Sequence, residues 1–225
     1  MNYLGLCQRV YSECGIPGTI STVVGATNEA LLVVNWVRQS LIDIEQARQD
    51  WDWMRKDFAF NTVAQQQSYS PEVDVLLADF STWKNESFRV YLASSGVSAE
   101  TAIHQYDYDS FRDYYMIGVR RNAYAQPDAI AVAPNRSLLL GLAPDDIYTV
   151  NGEYFRTPQE LTLDADVPEM PARYHMSIVY GAMVKYGNYQ AAPEQLQAGA
   201  TQYSAILNLM ASDQTPMITT GGPLI

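Results

Sequence analysis

The hydrophobic period of the chain changes twice, and this limits what it can fold into. Near both ends, apolar residues recur every three or four positions, over residues 2–14, over 28–55 and in two segments after residue 171. This spacing is typical of amphipathic helices. Between these ends, apolar residues alternate with polar ones or form short runs bounded by Pro and Gly, which is typical of strands. The sequence therefore predicts an α+β fold with helical ends and a β-rich middle.

The first helix is predicted from a face that contains Leu4, Cys7, Tyr11 and Cys14, and Gly15 is expected to end it. Two turns of helix separate the cysteines by about 10 Å. A disulfide needs Cα atoms closer than about 7 Å. We therefore expect both cysteines to be buried as small apolar side chains.

Residues 28–55 are predicted to form the longest helix, because apolar residues follow a heptad-like rhythm up to Trp51. This helix would end with Trp51 and Trp53 beside Arg55 and Lys56, where cations suit the negative end of the helix dipole. The two indoles are expected either to pack in the core or to form a platform for a ligand.

A β-hairpin is predicted over residues 147–156. Its strands would be residues 147–150 and 153–156, which are rich in β-branched and aromatic side chains. Asn151 and Gly152 would form the turn, because they readily adopt the two positive φ angles of a type I′ turn.

Three regions follow from these patterns. Residues 1–56 and 170–212 are expected to form a helical bundle, and residues 57–169 a β-rich antiparallel insertion. Residues 213–225 are expected to form an extended C-terminal tail. From Gln214 onward the tail has no charged residue but several apolar ones, and it is too short for a core of its own. It is therefore either disordered or docked on a partner.

Charge excludes one class of function and is unevenly distributed. The 225 residues carry a net charge of −11, which argues against a groove that grips nucleic-acid phosphates. Residues 57–119 and 145–169 each carry a net charge of −6, whereas residues 170–225 are neutral. No apolar run is long enough for a membrane span, and the first residues lack the pattern of a signal peptide.

No motif predicts a cofactor, a metal centre or a nucleophilic active site. Gly-rich phosphate loops and Cys-x-x-Cys pairs are absent from the sequence, and His104 and His175 are its only histidines. His175 lies on an apolar helix face, where a hydrogen-bonded core histidine is expected, and His104 is expected on a strand surface. Asp145 with Asp146, and Asp164 with Asp166, are expected to be turn carboxylates rather than cation ligands. Two acids at a suitable separation could still cleave a glycan, so a peptidoglycan hydrolase stays open as an alternative.

Tyrosines are concentrated in one segment of the chain. Tyr106, Tyr108, Tyr114, Tyr115 and Tyr124 lie within 19 positions. Tyrosine is enriched at protein interfaces because its ring is apolar and its hydroxyl is polar. The segment is therefore either an interface or a partly exposed β surface. A module that binds a glycan through these tyrosines is a further alternative.

Three stretches of the chain resemble the head-to-tail adaptor (connector) proteins of tailed bacteriophages. The first is the opening helix, the Gly-containing break and the long helix that runs into residues 48–58. The second and third are residues 87–91 and 158–183. The likeness depends on the order and spacing of these stretches, and together they span most of the chain.

This resemblance implies a structural, non-enzymatic virion protein at the head-tail junction, assembled in the host cytoplasm. It implies a ring of about twelve copies under the portal protein, with double-stranded DNA passing non-specifically through a central channel. Tail or nozzle proteins would be further partners. Within such a virion, a glycan-binding module of the tail or baseplate is the alternative role. It also implies that the C-terminal segment reaches the portal. The apolar and proline residues of the tail would then make this contact: Pro216, Met217, Ile218, Pro223, Leu224 and Ile225.

Overall fold

A computed structural model describes residues 1–48 and 50–214. In this part of the chain, five α-helices and nine strands occur, and the strands pair mostly antiparallel. The predicted α+β fold is confirmed. The helices are α1 (Tyr3–Cys14), α2 (Asn28–Gln46), α3 (Tyr108–Tyr115), α4 (His175–Tyr189) and α5 (Pro193–Asp213). The strands are β1 (Arg55–Asn61), β2 (Ser68–Tyr69), β3 (Phe80–Trp83), β4 (Arg89–Leu92), β5 (Thr101–Ala102), β6 (His104–Tyr106), β7 (Ala129–Val132), β8 (Leu138–Gly141) and β9 (Tyr148–Arg156).

The chain divides into two compact units. Unit 1 contains Met1–Met54 and the described residues from Pro158 onward, and unit 2 contains Arg55–Thr157. Residues 158–169, expected in the β-rich insertion, therefore group with the helices. They form no strand, and they bond instead to the start of α1, where the amide N of Tyr3 donates to the carbonyl O of Asp166 at 2.7 Å.

Helix α4 is the centre of unit 1, where it packs against α1, α2 and α5. The predicted bounds of α1 are confirmed within one residue. The side chain of Asn2 caps its start by accepting from the amide N of Gly5 at 2.9 Å. Gly15 ends it in the left-handed conformation at φ 65°, which a glycine adopts at little cost.

The prediction of one helix over residues 28–55 is wrong, because α2 ends at Gln46. Beyond this end the chain folds back, and the indole of Trp51 donates to the carbonyl O of Ile44 at 2.9 Å. Trp51 is buried and stacks on Trp53 with ring centroids 4.6 Å apart. A continuous helix would carry Trp51 away from this carbonyl, so burial of the indole favours an early end. The indole of Trp51 thus packs in the core, as the first alternative held.

Unit 2 contains two sheets. In the five-stranded sheet the order is β1-β9-β4-β5, and β3 also pairs with β9. The four-stranded sheet has the order β2-β8-β7-β6, in which β6 and β7 run parallel. Side chains from both sheets form one largely aromatic core: Phe58, Phe60, Tyr69, Phe80, Trp83, Phe88, Tyr148 and Tyr154, with aliphatic neighbours.

The predicted hairpin over residues 147–156 is also wrong. Residues 148–156 form the single strand β9, and Asn151 and Gly152 lie in its middle, opposite Ala59 and Phe58 of β1. A Cβ atom at Gly152 would lie only 3.1 Å from Phe58 Cε1 and 3.2 Å from Phe88 Cδ1. Glycine is therefore present because two rings approach the backbone, not because the chain turns.

Candidate functional site

His175 and the two cysteines are part of the core. His175 is 2% exposed, and its Nε2 lies 3.1 Å from the carbonyl O of Met170. Burial lowers the pKa of His175, so the prediction of a hydrogen-bonded core histidine is confirmed. Cys7 and Cys14 are buried and unlinked, and burial raises the pKa of their thiols to about 12 and about 11. Thiols of this kind stay protonated at neutral pH and are poor nucleophiles.

The paired aspartates accept hydrogen bonds from other groups of the protein, and Asp166 stabilises a turn. Asp164 accepts from the amide N of Val23 at 2.6 Å, and Asp166 accepts from the amide N of Leu163 at 2.7 Å. Asp145 accepts from the hydroxyl of Tyr148 at 2.7 Å, and Asp146 accepts from the amide N of Ile147. Within the described residues, no group of three or more His, Cys, Asp or Glu side chains could hold a metal ion.

A cleft of about 870 Å³ lies over the exposed face of the five-stranded sheet in unit 2. Side chains of β1 and β9 form its floor, and the loop of residues 84–87 forms one wall. Glu153 is central, because its carboxylate accepts from Arg55 at 2.6 Å and from Lys84 at 2.7 Å. The lining residues are Arg55, Asp57, Phe58, Ala59, Lys84, Asn85, Glu86, Ser87, Arg89, Glu100, Asn151, Gly152 and Glu153.

The chemistry of this cleft is that of a charged protein surface. The hydrogen bond from Arg55, together with the one from Lys84, holds the pKa of Glu153 below its ordinary value. A general acid for glycan cleavage needs a raised pKa. Wherever the pKa of a described carboxylate is shifted, the shift is downward. The lining also has no exposed aromatic ring on which a sugar could stack.

The tyrosine-rich segment splits into a buried and an exposed part. Tyr115 is 4% exposed, and its hydroxyl donates to Asp128 at 3.1 Å. Tyr106 and Tyr108 pack against the small cluster around Tyr115, which also contains Phe111. Tyr114 and Tyr124, by contrast, are each about half exposed. The segment is thus a second small core with an exposed rim.

Helix α5 presents a long uncharged surface on unit 1. Of its 21 residues, Gly199 and Met210 are buried, and residues 195–212 contain no charged side chain. The helix approaches α4 closely, since a Cβ at Gly187 would lie 2.7 Å from the amide N of Leu196. Leu209 of α5 is 60% exposed. This surface is suited to contact with another protein, because it offers little charge to desolvate.

The tail residues expected to contact a partner lie outside the described residues. These are Pro216, Met217, Ile218, Pro223, Leu224 and Ile225.

Two exposed apolar sites were not predicted from the sequence. Ile117 and Val119 are exposed at the end of α3, and Leu163 and Val167 are exposed in the segment that precedes α4. A local charge signal marks both places. Residues 114–127 contain two arginines and no acid, whereas residues 157–172 contain four acids and no base.

Comparison with known proteins bears on the whole chain. A protein-family model described as SU10 adaptor protein matches residues 1–223. No curated protein matches the chain. None of the described helices is long and apolar enough to cross a membrane.

Proposed function

The chain belongs to the SU10 adaptor protein family and is a structural adaptor of a bacteriophage, and we propose that it forms a ring beneath the portal protein. About twelve copies would form this ring. The ring joins the capsid to the tail or nozzle proteins at the head-tail junction and continues the DNA channel. It assembles in the host cytoplasm and has no catalytic step.

The observation that carries this proposal is the uncharged C-terminal part of the chain. Residues 195–225 contain a single charged residue, Asp213, in a chain with 39 charged residues. Much of α5 is exposed, so this lack of charge is not explained by burial within unit 1. Surfaces of low charge are typical of the buried centre of protein interfaces. The C-terminal part of the chain therefore fits a contact with the portal.

The acidic middle of the chain supports a conduit for DNA. A net charge of −11 per copy gives a ring a strongly negative field. Such a wall binds DNA weakly, because it has few cationic side chains that could neutralise phosphates and release their counterions. DNA can therefore slide past it during ejection.

The proposal is tested by mixing the full-length chain with purified cognate portal rings. We expect both proteins to sediment together, and electron micrographs to show an added ring on one face of the portal. Deletion of residues 214–225 is expected to reduce portal binding by at least about tenfold, equivalent to about 1.4 kcal/mol.

A matched control replaces Val73, an exposed residue of unit 2, with Asp. This variant should bind the portal as the wild type does. Absence of co-sedimentation for the wild type would contradict the adaptor ring, and full binding by the deletion variant would contradict the role of the tail.

A further inference from the structure

The end of α3 carries an exposed apolar and basic projection, which we call the tip (residues 117–121). Val119 is 90% exposed and Ile117 is 59% exposed. The guanidinium of Arg120 lies over the ring of Tyr114, 3.7 Å from its centroid. Arg121 donates twice to the carbonyl O of Met116, at 2.9 and 2.7 Å. The tip is therefore held in one shape, with its apolar side chains facing solvent.

Unit 1 carries a surface of the opposite charge, which we call the acidic loop (residues 159–169). Leu163 is 58% exposed and Val167 is 52% exposed. Around them lie the four acids Glu160, Asp164, Asp166 and Glu169.

The acidic loop is also held in one shape. The carboxylate of Asp166 accepts from the amide N atoms of Thr162 and Leu163, both at 2.7 Å. Asp164 ties the loop to the amide N of Val23, and the side chain of Leu161 is fully buried. An ordered loop loses little conformational entropy when a partner binds.

We propose that the tip of one copy docks on the acidic loop of the next copy in the ring, an inference that rests on the proposed ring. The two surfaces match in charge, since one has two arginines without an acid and the other has four acids without a base. They also match in their apolar centres, Ile117 and Val119 against Leu163 and Val167. Because tip and loop are different patches, the contact is heterologous, and repetition of such a contact gives a ring when the rotation between successive copies closes.

A second copy fits the tip better than DNA does. The outermost side chain is Val119, which offers nothing to a phosphate, and Arg121 is occupied by Met116. Arg and Tyr, which the tip has beside its apolar groups, are instead among the residues that contribute most to binding at protein interfaces. Copies with a net charge of −11 repel each other, so a stable contact between them needs a local attraction of this kind.

The contact is tested by mixing two full-length variants with one added cysteine each, Val119→Cys and Leu163→Cys, with portal rings under mild oxidation. The native Cys7 and Cys14 are buried and should stay unreacted. We expect a disulfide-linked dimer in the mixture and none in either variant alone. The control replaces Leu163→Cys by Val97→Cys, a site of unit 2 that is more exposed than Leu163 (71% against 58%) and should give no dimer.

A charge exchange provides a second test. Arg120→Glu is expected to weaken assembly into rings by about tenfold, and Glu160→Arg on the same chain should restore it. A disulfide-linked dimer of Val119→Cys with itself would overturn the tip contact and leave the adaptor proposal intact. The same conclusion would follow if the wild type forms rings on the portal but the mixture of variants gives no mixed dimer. Failure of the wild type to join the portal would overturn both.

Discussion

The two units are packed in opposite ways. In unit 2 large rings fill the space between the sheets. The ring of Phe58, for example, contacts those of Trp83, Phe88 and Tyr154. In unit 1, helices α4 and α5 come close together at glycines, which have no side chain. A Cβ at Gly187 would lie 2.8 Å from the Cα of Leu196, and one at Gly199 would lie 3.0 Å from the Cβ of Met183.

This difference indicates which change harms each unit. Unit 2 depends on the presence of large side chains, so the loss of a ring leaves a cavity. Unit 1 depends on the absence of side chains at the α4–α5 contact, so the addition of a methyl group separates the helices. The close packing on α4 also holds α5 along one side only, so its other side is free for a partner.

The largest effect is expected from Trp83→Ala in unit 2. The indole packs 4.4 Å from Phe80 and 4.8 Å from Phe58, measured between ring centroids, and it donates to the carbonyl O of Arg136 at 2.7 Å. Its removal should lower the free energy of unfolding by about 3–5 kcal/mol. Urea denaturation followed by circular dichroism measures this loss.

The control for this prediction is Trp83→Phe, which keeps a ring and should lose less than half as much. A loss below about 1 kcal/mol for Trp83→Ala would show that the aromatic core collapses around the gap.

Addition of a methyl group in Gly187→Ala should have the next largest effect. The neighbouring atoms are the backbone N and Cα of Leu196 and its Cβ, none of which can rotate away. We expect a loss of about 1–3 kcal/mol in spite of the better helix propensity of alanine. Hydrogen exchange should show a greater loss of amide protection in α5 than in α4.

Gly152→Ala is the matched change in unit 2. There the nearest atoms are side chains of Phe58, Phe88 and Ser87, no closer than 3.1 Å, and they can shift. Its loss of stability should be smaller than that of Gly187→Ala. Equal losses would remove the distinction between the two units.

The smallest effect is expected from Glu153→Gln in the charged cleft. The ion pairs with Arg55 and Lys84 are partly exposed, so their loss should cost about 0.5–1 kcal/mol at neutral pH. The pKa of Glu153 is lowered in the folded protein, so its contribution is full above the usual glutamate pKa of about 4.3. It is lost as the pH falls through the folded-state pKa.

Wild type and variant should therefore converge in stability in acid and at high salt. Glu72→Gln is the control, since within the described residues the carboxylate of Glu72 makes no ion pair. A constant difference between wild type and Glu153→Gln at all pH values would contradict an electrostatic origin.

Local patterns were sufficient for part of the fold. The spacing of Leu4, Cys7, Tyr11 and Cys14 located α1, and Gly15 located its end, because capping depends on residues adjacent in the chain. The buried state of His175 followed from the apolar face of α4. The exposed tip could not be found in this way, because the exposure of Val119 depends on how residues distant in the chain are placed around it.

The sequence by itself determined the order of helical and β-rich segments and the distribution of charge, since both are properties of neighbouring residues. Tertiary structure alone decided that Asn151 and Gly152 lie within a strand, because β1 and β4 pair with β9 on both sides and leave it no room to turn. It also decided that α2 ends at Gln46, because burial of Trp51 outweighs further helical hydrogen bonds. In each case a contact distant in the chain overrode a local preference, since burial of an aromatic side chain contributes more free energy than the propensity of a few residues.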